Sequence, residues 1–69
     1  MSRYVVRIVG PAGYATYLAR GRETGLEQAT RYPHPSNAWQ AGWDYREKNK
    51  GLFTFDVIDT RDPGRRVPA

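Results

Sequence analysis

The sequence predicts a small α+β domain: an antiparallel sheet in the order β-β-(β)-α-β with one helix packed on one face. Three observations carry this. Residues 3–9, RYVVRIV, and 52–59, LFTFDVID, alternate with the period of half-buried strands and are rich in β-branched and aromatic residues. A Gly10-Pro11-Ala12-Gly13 turn joins the first of these runs to a second, residues 14–20, YATYLAR. The stretch from Pro35 to Gly51 has the only convincing helical period in the chain.

The first two runs form a hairpin. Pairing Val9 with Tyr14 places Tyr4, Val6, Ile8, Ala15, Tyr17 and Ala19 on one face, uncharged throughout and therefore expected beneath the helix. The other face then holds Arg3, Val5, Arg7, Val9, Tyr14, Thr16, Leu18 and Arg20, with Arg3 opposite Arg20. After the breaker-rich 21–25, residues 26–32, LEQATRY, read as a short third strand or an irregular segment. The strand is favoured, because Gly25 and Pro33 leave little room for a helix. Pro33-His34-Pro35 is a stiff, extended entry to the helix.

On the helical wheel Ala38, Gly42 and Tyr45 form a narrow central stripe. Ala41 borders it on one side, Trp39 and then Trp43 on the other, with Gln40, Asp44, Glu47 and Lys48 opposite. The small residues at the stripe centre let the backbone approach a sheet. Ser36 is the expected N-cap and Gly51 the expected residue after the C-terminus. In 52–59, Phe53, Phe55 and Val57 face the core, and Leu52, Thr54, Asp56 and Ile58 face away. One domain spans 1–60, and 61–69, with prolines, a glycine and no period, reads as a flexible basic tail.

Composition narrows the function classes. At 69 residues the chain builds only a small core, and without cysteine it has neither disulfides nor thiolate metal ligands. No signal peptide or membrane-length apolar run is visible, so a soluble, cytoplasmic protein with no membrane partner is expected. The net charge of +4 comes from nine Arg and two Lys against seven acidic groups. It is concentrated in residues 1–35 and in the tail, whereas 36–60 is slightly acidic. Such a balance suits nucleic acid, an acidic protein or plain solubility.

No catalytic constellation emerges, and an enzyme is not expected. His34 and Ser36 sit two apart at a helix entry with no third orienting group, and Ser36 suits a cap better than a nucleophile. Asp44 and Glu47 share a helix face with Lys48, the pattern of solvated surface. Asp56, Asp59 and Asp62 lack the glycine and terminal glutamate of a calcium loop, so neither a metal nor another cofactor is expected.

Binding remains. With one helix, one sheet face is expected to stay uncovered and to mix Arg, Tyr and aliphatic residues as interface cores do. The residues expected to bind a macromolecule are Arg3, Val5, Arg7, Tyr14, Leu18, Arg20, Arg22 and Arg31, with Trp43 as the more exposed indole. A protein partner is the first expectation. Nucleic acid held by the same arginines and the tail is the alternative, though no nucleic-acid-binding motif is present. A homodimer through this face would relieve the small core. This build, a tiny Arg-rich, Cys-free domain, resembles small accessory proteins of phages and mobile elements, including anti-CRISPR-type inhibitors. The resemblance rests on size and architecture. It implies action by occluding a host complex and carries no site residues.

Overall fold

The computed structural model describes residues 3–50 and 53–67. The strands are β1 (Tyr4–Val9), β2 (Ala15–Ala19), β3 (Arg22–Thr24), β4 (Thr54–Asp59) and β5 (Asp62–Val67). The helix α1 (Pro35–Asn49) lies between β3 and β4 in the chain, and a 3₁₀ turn at Leu26–Gln28 precedes it. The strands form one sheet in the order β3-β2-β1-β4-β5, every neighbouring pair antiparallel. The predicted architecture, an antiparallel sheet with one helix on one face, is the one observed.

The hairpin register differs from the expected one by one residue. Val9 pairs with Ala15, Ile8 with Thr16 and Arg7 with Tyr17. The cause is the turn. Gly13 N–H donates to the Gly10 carbonyl at 3.0 Å, Gly13 takes a φ of 87°, and Tyr14 remains outside the ladder. A slip of one residue exchanges the faces of β2. Leu18 therefore lies under α1, where it is only 3% exposed, and Tyr17 moves to the far face.

The core beneath α1 is Val6, Ile8, Leu18, Ala38 and Val57, flanked by Tyr4, Tyr32, Trp39, Tyr45, Phe53, Phe55 and Val67. Phe53, Phe55 and Val57 thus face the helix as their alternation predicts. Gly42 makes room for a Phe55 ring: a Cβ built there would fall on that ring. Trp39 closes one flank, its ring 5.4 Å from Phe55 and its Nε1 donating to the Val67 carbonyl at 3.2 Å. Tyr45 closes the other, its hydroxyl donating to Glu23 Oε2 at 3.0 Å while Thr16 donates to Oε1 at 2.6 Å.

The helix begins two residues earlier than expected. His34, extended at φ −131°, is the N-cap residue, and Pro35 opens the helix. Proline suits that position because its fixed φ is helical and its missing N–H would have had no helical partner. Ser36 therefore lies within the first turn and does not cap. At the other end Lys50 adopts the left-handed conformation and its N–H returns to the Arg46 carbonyl at 2.8 Å. Gly51 and Leu52 lie outside the described residues.

Two further expectations are corrected. Residues 26–32 do not form a third strand. That strand is Arg22–Thr24, joined to β2 by a two-residue turn in which Arg20 (φ 50°) and Gly21 (φ 81°) both have positive φ, the primed-turn geometry that matches strand twist. Left-handed backbone at Arg20 costs about 1 kcal/mol relative to glycine. The 26–32 segment instead crosses the far face and rejoins the sheet where β1 and β2 diverge. Thr30 N–H bonds the Leu18 carbonyl at 3.1 Å, and Tyr32 and Tyr4 exchange two main-chain bonds. The second correction concerns the tail: residues 62–67 add the edge strand β5 to β4, so the ordered domain extends past residue 60. A two-residue turn makes this pairing local, and Asp59 Oδ1 accepts the Arg61 N–H at 3.0 Å. Among the described residues, no helix is long and apolar enough to cross a membrane.

Candidate functional site

The far face is only half open. At one end Val5 and Ile58, both 0% exposed, pack under Ala29, Leu26 and Tyr17. Val5 is therefore core and not a surface contact, and Leu18 is core on the opposite side. They leave the expected site for different reasons: the 26–32 connection covers Val5, and the one-residue register shift turns Leu18 under α1.

At the other end the face stays accessible. Arg7 on β1 lies opposite Asp56 on β4 and Tyr17 on β2. Arg7 grips Asp56 with both arms of its guanidinium, Nε to Oδ1 at 3.0 Å and Nη2 to Oδ2 at 2.7 Å. Arg66 of β5 approaches the same Oδ2 at 3.4 Å. The hydrogen bond that Arg7 donates to Asp56 raises the Arg7 pKa above its ordinary value against the opposing effect of burial, and the carboxylate charge adds to the rise. Asp56 is 8% exposed, so this is a nearly buried carboxylate clasped by two cations. Half-buried Val9 and exposed Ala15 and Thr54 continue the surface toward the β1–β2 turn.

The other expected residues are dispersed. Arg3 does not face Arg20. It pairs with Asp59 (Nε to Oδ2, 3.0 Å), and its guanidinium lies 5.2 Å from the Tyr4 ring centroid. Arg31 reaches Thr60 Oγ1 at 3.4 Å. Arg20 lies in the β2–β3 turn and Arg22 opens β3. Tyr14, 80% exposed, sits in the β1–β2 connection. Trp43, 49% exposed, is on the helix, its ring 5.8 Å from the more buried Trp39. The structure thus keeps Arg7 on the open face and adds Tyr17, Asp56 and Arg66 to it. The parity of Arg7 and Asp56 held a signal for this pairing: each sits on the outward face of its run, and the charges are opposite.

The groove between α1 and the β2–β3 hairpin, about 220 Å³, is bordered by Arg20, Tyr32, Asp44, Tyr45 and Lys48. Asp44 is its one carboxylate, accepting from Gln40 at 3.1 Å, and His34 is not part of it. Among the described residues no three His, Cys, Asp or Glu side chains gather to hold a metal ion. Comparisons with protein-family models, curated proteins and solved structures return no match to this chain.

Proposed function

We propose that the protein is a non-enzymatic docking module that binds another protein through the open half of its far sheet face and acts by occluding it. The observation that supports this most is the Arg7–Asp56–Arg66 cluster beside Tyr17 and Val9. Arginine and tyrosine are the residue types enriched in interface cores. Asp56 holds Arg7 in one geometry, so little side-chain entropy is lost when a partner covers it. Two cations against one carboxylate leave the patch positive, which suits a partner surface carrying carboxylates. A host complex inhibited by occlusion fits the phage-accessory resemblance.

The test uses exposed positions that leave the core intact. Ala15→Glu with Arg66→Glu reverses the patch charge without touching Arg7. Affinity capture from host cells, quantified against the wild-type protein, should lose the same bound protein in the variant. A variant that is folded and keeps every interaction of the wild type defeats the proposal.

A second reading, nucleic-acid binding, is favoured by one observation. Among the described residues Arg20, Arg22, Arg61 and Arg65 have no carboxylate within ion-pair distance, unlike Arg3 and Arg7. Light scattering at low and high salt, with absorbance at 260 and 280 nm, separates the two. Nucleic acid that co-elutes at low salt and leaves at high salt supports this second reading. A clean particle supports protein docking, and twice the chain mass shows a homodimer.

A further inference from the structure

We propose that the β2–β3 turn and the 3₁₀ segment form a binding site for a phosphate oxyanion. The site is an open hollow of about 350 Å³ lined by Ala19, Arg20, Arg22, Thr24, Gln28 and Thr30. No carboxylate lines it, and among the described residues neither arginine has an ion-pair partner. The Thr24 hydroxyl donates to the Gln28 carboxamide oxygen at 3.0 Å, which leaves the Gln28 Nε2 as a hydrogen-bond donor. Two guanidinium forks and the Gln28 amide make a donor set matched to a tetrahedral oxyanion, which accepts from several directions at once.

The backbone supplies an independent reason. Arg20 sits left-handed in a turn whose geometry favours Asn, Asp or Gly. Those residues would serve the turn better, so the guanidinium stands there against local preference, as happens where strain serves a site. The inference does not rest on protein docking through the open face, whose defining residues lie outside this hollow.

The shared chemistry is phosphate, supplied either by a nucleic-acid backbone or as a free anion. The experiment titrates the full chain, labelled with nitrogen-15, with inorganic phosphate, with a short oligothymidylate and with glutamate. Saturable shifts at the amides of Gly21, Arg22, Thr24 and Gln28 are expected with phosphate and absent with glutamate. Arg20→Gly relieves the turn and removes the fork. It should raise the thermal midpoint yet weaken phosphate binding by about tenfold or more, as should Arg22→Gln without the thermal gain. Tighter, salt-sensitive binding of oligothymidylate supports the site with nucleic acid as the source. Equal binding of the two phosphate probes supports it with the free anion. No saturable shift, equal shifts with glutamate, or affinity unchanged in both variants overturns it.

Discussion

At the scale of single residues, Gly42 and Asp56 carry the sharpest consequences. An exposed helical glycine is normally improved by alanine, by about 1 kcal/mol. Gly42 reverses that sign, because the added Cβ would fall 2.3 Å from a Phe55 ring already held against Trp39. Gly42→Ala should therefore lower stability by about 1–3 kcal/mol, read as a reduced urea midpoint with an unchanged slope. The small central stripe was legible from helical spacing, but the ring that fills it was not. Asp56 behaves as half of a unit. Asp56→Ala strands Arg7, whose side chain is 25% exposed, and should cost about 3 kcal/mol. Replacing both partners, with Arg7→Met and Asp56→Leu, should recover most of that loss, because no charge is left unpaired. A double-mutant cycle in denaturant checks it; additive costs would mean the pair does not act together.

At the scale of elements, the edge strand is the test. A chain reading of 61–69 makes it dispensable, whereas the sheet uses it. Val67 packs into the core beneath α1, and its carbonyl receives the Trp39 indole. Removing 61–69 should forfeit about 2 kcal/mol of apolar burial and about 1 kcal/mol from the indole hydrogen bond. A domain of this size has a total stability on the order of 5 kcal/mol, so the truncated protein should melt markedly lower by circular dichroism. Element boundaries were legible where punctuation is strong, as at the turn of Gly10 to Gly13 that separates β1 from β2. They failed where the same residues serve two roles: the prolines and glycine of 61–69 read as a tail, and 26–32 read as a strand. The far-face cover depends on apolar Leu26 and Ala29 meeting Val5 and Ile58, partners remote in sequence.

At the scale of the whole molecule, helix and sheet are clamped at both flanks by aromatic residues, and this makes stability sensitive to alkali. Burial raises the Tyr32 phenol above its ordinary 10.0. At Tyr45 burial does so first, and the hydrogen bond and charge of Glu23 add to it. The unfolded chain releases these protons at lower pH than the folded one. The stability they contribute is complete below the ordinary value of 10.0 and is lost as pH rises through the higher folded values. Urea midpoints should fall above that pH, and fall less steeply in Tyr32→Phe. The sequence by itself determined what neighbours in the chain can encode: strand alternation, a helix with a small centre, a hairpin after β1, and the choice of Trp43 over Trp39 as the exposed indole. Only the tertiary structure decided the register of β2, the covering of Val5 and Ile58, the enlistment of 62–67 and the pairing of Arg7 with Asp56. The physical reason is common to all four. Each depends on the geometry of a turn or on contact between distant segments, as when Val67 meets Trp39, and a shift of one residue in a two-residue period moves a side chain from core to surface.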